Sequence, residues 1–359
     1  MIYTKRSVQE NNAHRCANFD LMGIFMMLCV IMGHLVMYSG KSGSLGTNDY
    51  YWVNFLRSFC MMAVNVFVIR SGYFGIKLKW EKIFRFVLRT CFYTWLGLLI
   101  GIALGFHQFN IIKDITLLFP VITKTYWYIT VYLALCILSP YTNAFLKSVD
   151  KASLRSLLIT GFLLFYALAT FCFMINGGQL VADAGYGIVN FIYLYCLGFY
   201  LRNYYEDNKS AGYYLIMFVV SCLLIFGVNI LMSLLMGFYF NSMISYNTVF
   251  VLGAAVSCFL MFKNLTIPQN SWIAKLASKT LVVYIIHENP VLSGYIFRNL
   301  LRLNTFTGSH LVVVVIVLPL LVYIVSAVID MFLDLFLNPL EQVLYRSLHD
   351  CVFKRSKRT

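Results

Sequence analysis

Asn18–His34 reads NFDLMGIFMMLCVIMGH, an apolar run with an ionisable group near each end. Titratable side chains inside an apolar span are costly and mark functional positions. Asp20 and His34 are fourteen residues apart, which at about 100° per residue returns to within roughly 40° of one helix face and covers about 21 Å. One face therefore carries an acid near one membrane surface and an imidazole toward the other.

The rest of the chain has the same character. Of its 359 residues, 60% are hydrophobic and 12% charged, with mean hydropathy +0.77, whereas soluble domains carry about 25% charged residues. A membrane span needs about 20 mostly apolar residues. On that rule the chain divides into ten, at 19–38, 52–76, 90–107, 126–146, 156–175, 187–201, 213–236, 245–262, 280–297 and 311–336. The expected fold class is an all-α polytopic membrane protein of about ten transmembrane helices. Twenty-one of the 28 Lys and Arg fall on the side of the N-terminus, six on the other, and Arg70 lies within the second span. Cytoplasmic loops carry the basic excess, so both termini are expected in the cytoplasm. The chain then comprises a cytoplasmic tail (1–18), a transmembrane domain (19–336) and a basic cytoplasmic tail (337–359).

The net charge of +14 is mostly this topology signal. It also suits anionic headgroups or an anionic cytosolic ligand, and nucleic acid is not an expected partner. The ten cysteines show no C-x-x-C spacing, and the eight from Cys29 to Cys258 fall within spans. Buried inert thiols are expected, with no disulfide and no metal site. The first span lacks a small-residue cleavage site and is expected to remain as a signal anchor.

Further candidates lie along the chain. In VNVFVIRSGYFG, Val64–Gly75, Ser71 and Gly72 are expected to interrupt the helix, which membrane proteins tolerate beside a cavity; simple helix termination with a Gly at the end is the plainer alternative. In KLKWEKIFRFVLR, Lys77–Arg89, the residues Lys82, Arg85 and Arg89 share a helix face that could hold phosphates; ordinary positive-inside decoration is the plainer alternative. Trp127, with Tyr126 and Tyr128, forms an outer aromatic belt whose faces also suit a sugar. Asn190, Asn229 and Asn247 read as glue between helices. In ASKTLVVYIIHENP, Ala277–Pro290, His287 and Glu288 stand about 10 Å from the inner end of the ninth span, with Pro290 set to kink it just beyond. That depth places His287 nearer the inner side than His34, so the two are expected to serve opposite ends of one cavity. Asp330 and Asp334 face solvent or a basic neighbour.

The stretches Asn18–His34, FVIRSGYFG with its basic run, YWYITVYLALCILSPYTN (Tyr126–Asn143) and SKTLVVYIIHENP (Ser278–Pro290) together resemble the landmarks of the acyltransferase-3 family of integral membrane O-acyltransferases. The resemblance runs from Asn18 to about Pro290. It implies a ten-helix core that moves an acyl group, commonly acetyl, from cytoplasmic acyl-CoA to a hydroxyl of a bacterial surface polysaccharide or lipid-linked glycan at the inner membrane. Carried over by residue, it implies His34 as the first-span histidine, Ser71, Gly72 and Tyr73 as the Ser-Gly-Tyr element, and Tyr284 and His287 as the late Tyr-x-x-His. The family's arginine eleven residues before the histidine is Gly23 here. Arg70 is expected to replace it, pairing with Asp20.

On this reading His34 is the general base, His287 and Glu288 are the candidates to orient it, and Asp20 is the acid at the far end of its helix. Arg70, Lys82, Arg85 and Arg89 would meet the donor and Trp127 the acceptor. Acetyl-CoA or another acyl-CoA is the donor substrate, a glycan the acceptor, the bilayer the surroundings, and no cofactor is permanently bound. A proton-coupled glycan transporter or flippase, with His34, His287 and Glu288 as its relay, is the competing class. A catalytically inactive relative is the third reading, motivated by Gly23.

Overall fold

A computed structural model describes residues 16–41, 45–123, 125–175 and 183–355, with side chains to residue 347. The expectations for Lys5, Arg6, Arg15, Lys124 and the basic side chains after residue 347 lie outside the described residues. The described chain is helical and contains no strand. Among the described residues, eight helical stretches are long and apolar enough to cross a membrane: 17–38, 48–74, 80–103, 127–148, 151–174, 211–236, 242–263 and 308–347. The sixth and ninth of the ten expected spans are shorter or broken among the described residues and are not among these eight.

In order, the helices are α1 (Ala17–Tyr38), α2 (Asn48–Cys60), α3 (Ala63–Phe74), α4 (Trp80–Ala103) and the outer-loop α5 (Ile111–Leu118). They continue with α6 (Trp127–Ser148), α7 (Lys151–Phe162), α8 (Leu168–Met174), α9 (Ile188–Asn203) and α10 (Ala211–Met236). The last are α11 (Val249–Lys263), α12 (Ser271–Ala277), α13 (Thr280–His287), α14 (Leu292–Gly294) and α15 (Gly308–Arg355). Many starts are set by side chains that accept the first unpaired backbone N–H groups. Thr47, Asn110, Asp150, Ser210, Thr248 and Asn270 all do so.

The second span breaks at Met61 and Met62, not at Ser71 and Gly72. Ser71 stays helical and bonds back to the Phe67 carbonyl, 2.9 Å away, and α3 ends normally at Gly75, whose φ is 75°. Gly72 serves packing instead. A Cβ there would collide with the Tyr195 carbonyl of α9, and one on Gly198 would collide with the Ile69 carbonyl. The pair lets two backbones touch, as small residues do between membrane helices.

Helix α1 runs antiparallel to the second span in a regular register. A Cβ on Gly33 would stand 3.7 Å from Cys60 Cβ, and ten residues earlier in α1 and ten later in the second span a Cβ on Gly23 would stand 3.0 Å from Arg70 Nη1. The expected glue holds spans five to eight: Asn190 bonds Tyr166 and the Gly185 carbonyl, Asn229 accepts from the Met243 amide, and Asn247 donates to the Phe165 carbonyl.

Helix α15 continues past residue 336, with Leu337 and Glu341 buried. At 48 residues it is about 72 Å long, more than twice a hydrocarbon core of roughly 30 Å. Its inner half carries a buried ion network. Arg89 of α4 meets Asp330 at 3.5 Å, Asp334 at 2.8 Å and Glu341 at 2.6 Å, and Lys279 meets Asp330 at 2.8 Å and also pairs with Asp334. The acids thus face basic neighbours, with Asp330 fully buried.

The orientation derived from charge yields a first expected result. Cysteines at Thr47, Asp183 and Thr305, all exposed, should react with an impermeant thiol reagent added outside. In the long outer loop, Asp114 is unsuited to such labelling, being buried and bonded to the His107 ring at 3.1 Å. The Asn110 amide and then that ring hold its carboxyl below the usual range. Ile112, 84% exposed, is the better reporter there. Protection of the Thr47 and Thr305 sites together would reverse the orientation.

Candidate active site

His34 and His287 meet rather than standing at opposite ends. His34 Nδ1 lies 3.0 Å from His287 Nε2, with the rings stacked at 5.2 Å between centroids. The expected difference in depth fails because the ninth span does not begin at residue 280. Helix α12 enters first and continues into α13 after a turn at Ser278 and Lys279. His287 is therefore sixteen residues from Ser271, about 24 Å, and His34 is seventeen from Ala17, about 25 Å. Lys279, which looks like a boundary residue in sequence, is tolerated inside because Asp330 and Asp334 neutralise it.

The helix ends at His287, Glu288–Val291 form a break that contains Pro290, and α14 resumes at Leu292. Asn289 fixes that break. Its amide donates to the Tyr93 carbonyl at 2.9 Å, and its oxygen accepts from the amides of Val291 and Leu292. Gly97 of α4 leaves the room, since a Cβ there would strike the Asn289 side chain. Glu288 is consequently turned back onto α1, with Oε2 3.0 Å from His34 Nδ1. The Tyr38 hydroxyl donates to Glu288 Oε1 at 3.2 Å and lies 2.7 Å from Ser293 Oγ.

These contacts assign the tautomers. His287 Nδ1 lies 2.7 Å from the Val283 carbonyl, an acceptor only, so that nitrogen carries the proton and Nε2 presents a lone pair. His34 Nδ1, 3.0 Å from that lone pair and 3.0 Å from Glu288 Oε2, must then carry a proton. The lone pair of His34 is left on Nε2, with the side chain one-quarter exposed. A held imidazole with one free basic nitrogen and a carboxylate beside the other is equipped to accept a proton and stabilise the resulting cation.

His34 and Glu288 line a cavity of about 940 Å³ walled by the first two spans, α4, α6 and the α12–α13 segment. Arg70, Ser71, Trp127 and Tyr284 line it as well. Tyr284 packs its ring edge-on to His287 at 5.9 Å, and Ser71 Oγ lies 3.1 Å from the Tyr132 hydroxyl. Along the second span, Arg57 and Arg70 mark a length of about 20 Å of this cavity. Arg70 Nη2 is 3.9 Å from Asp20 Oδ1, and its guanidinium occupies the space beside Gly23.

Other expected site residues stand elsewhere. Asp20 is buried beside Arg70, remote from His34 along the helix. Gly72 packs against α9, and Tyr73 packs on Phe19 and Phe259 and receives the Arg202 guanidinium on its carbonyl. The basic face is not a free trio. Arg89 is committed to the α15 acids and Arg85 pairs with Glu81 at 2.7 Å, while Lys82 is exposed. Sequence reasoning missed Tyr38, Asn289 and Ser293. Tyr38 follows His34 by four residues, so the shared helix face was a usable signal; Asn289 gave none, because its partners are remote in sequence.

His34, His287 and Glu288 each offer a ligand atom within 4.8 Å of the others, a set that could hold a divalent cation. The inference of no metal site rested on cysteine spacing and did not consider this trio. Residues 17–331 match a family described as an acyltransferase domain. No curated protein matches the chain, and no solved structure does.

Proposed function

Since the chain belongs to the acyltransferase-3 family and is a multi-pass membrane acyltransferase, we propose that it moves an acetyl group from cytoplasmic acetyl-CoA to a hydroxyl of a cell-surface polysaccharide or lipid-linked glycan, in a bacterial inner membrane. The observation that carries this reading is the tautomer chain Val283–His287–His34, which leaves one basic nitrogen on His34 beside a large cavity.

His34 Nε2 takes the hydroxyl proton as the oxygen attacks the thioester carbonyl. A sugar hydroxyl is too weak a nucleophile without such a base. The Glu288 carboxylate stabilises the imidazolium. The C–S bond then breaks, the acetyl ester is left on the glycan, and the imidazolium returns its proton to the departing CoA sulfur. The donor enters from the end marked by Arg70, where Ser71 lines the wall, and its phosphates meet the exposed Lys82 at the inner surface, with Arg85 joining on release from Glu81. Tyr284 packs the base, and Trp127 offers its face to the acceptor.

The test compares acetyl-CoA consumption, and acetyl released from glycan, in cells with and without the gene. Glycan movement across the membrane without acetyl-CoA consumption would favour the transporter reading. Metal dependence separates two uses of the same trio. If His34 is the base, EDTA leaves transfer intact and added Zn²⁺ inhibits it, because metal on Nδ1 leaves Nε2 protonated. Activity lost in EDTA and recovered with Zn²⁺ would make the trio a metal centre instead.

A further inference from the structure

The end of the cavity away from Arg70 combines flat aromatic faces with one cation. Trp127 lies 4.6 Å from Tyr186 and 5.5 Å from Tyr246 between ring centroids, and those two tyrosines are 5.0 Å apart. All three line the cavity, and so does Arg57 of α2, which is within electrostatic reach of both tyrosine hydroxyls. Among the described residues the Arg57 guanidinium has a single weak polar partner, the Tyr239 hydroxyl at 3.4 Å. None of the ion pairs among the described residues includes it.

The helix register fixes its depth. Gly33 faces Cys60, so Arg57, three residues before Cys60, stands roughly 4.5 Å further out than Gly33 and about 3 Å further out than the level of His34. A guanidinium carries five N–H donors in a planar fork that matches a carboxylate or phosphate. Partly withdrawn from water, it is under-satisfied until such an anion arrives.

The geometry points to an acceptor subsite for an acidic saccharide, in which the aromatic rings take the face of a sugar and Arg57 takes a carboxylate or phosphate carried on it. This rests on the transfer proposed above and specifies its acceptor class. Anchoring the anion about 3 Å beyond the level of His34 leaves a hydroxyl of the same or the adjoining sugar within reach of the base. Neutral glycans of equal length would gain the stacking but not the anchor.

The test uses the full-length protein in nanodiscs of zwitterionic lipid, without donor. Three oligosaccharides of equal length are titrated: one bearing glucuronate, one bearing a phosphate ester, and one neutral. At least one acidic probe should bind about tenfold or more tightly than the neutral one. Arg57→Gln should erase the preference and Arg57→Lys should keep part of it. The two acidic arms identify the anion. Adding phosphatidylglycerol to the nanodiscs separates the remaining source of phosphate: if anionic lipid abolishes the preference, a headgroup is the occupant and the proposal falls. It also falls if no acidic probe binds, if all three bind equally, or if Arg57→Gln retains the preference. A protein that consumes no acetyl-CoA with any acceptor would defeat the transferase reading separately, since these titrations do not depend on turnover.

Discussion

His34→Ala is expected to lower transfer by about 10²- to 10⁴-fold, the usual cost of losing a general base, while the protein accumulates normally. Accumulation is expected because the ring is one-quarter exposed beside an existing cavity, so its loss opens little new void in a packed core. His287→Ala is a different lesion. It removes a buried ring from the Val283 carbonyl and frees His34 to adopt either tautomer, so it should reduce activity through the fraction of correctly protonated base. The measurement is acetyl transfer per molecule of protein in membranes. If His34→Ala keeps most of the activity, the base must be reassigned, and His287 is the next group in the chain of contacts.

Arg70→Ile is expected to reduce transfer by roughly 10- to 150-fold, the range for losing a charge-assisted hydrogen bond of about 1.5–3 kcal/mol. Adding Gly23→Arg to that variant should restore part of the loss. The register makes this a direct exchange, since a Cβ on Gly23 would point at Arg70 Nη1 from 3.0 Å. Either residue can therefore deliver a guanidinium to the same space beside Asp20. Gly23→Arg alone should be harmful, because it would bring two cations together there. A fully active Arg70→Ile protein would reduce Arg70 to a side chain snorkelling toward the inner headgroups.

The spans and their charge asymmetry were readable from sequence because hydropathy is local: each apolar run announces itself without reference to any other. The pairings were not local. Lys279 and Arg89 looked like surface charges because Asp330, Asp334 and Glu341, which neutralise them, lie far along the chain. Taking Lys279 as a boundary moved the ninth span by about nine residues and separated His287 from His34. Ser71 and Gly72 were taken for a break because Gly usually ends helices; here Gly72 is the price of a close backbone approach to Tyr195. Arg70 beside Gly23 was legible because counting residues along two antiparallel helices suffices when their register is regular.

The two histidines of the site are 253 residues apart in the chain. At about 5–20 residues per second of synthesis, tens of seconds pass between insertion of the first and manufacture of the second. During that time α4 stands in the bilayer with Arg89 still lacking the acids of α15. When α13 emerges it is eight residues long, too short to hold a transmembrane position by itself, and it follows directly on Lys279. Asp330 and Asp334, which neutralise both cations, come only with α15. A nascent chain that already contains His34, His287 and Glu288 is therefore expected to be inert until α15, with Asp330 and Asp334, has been added.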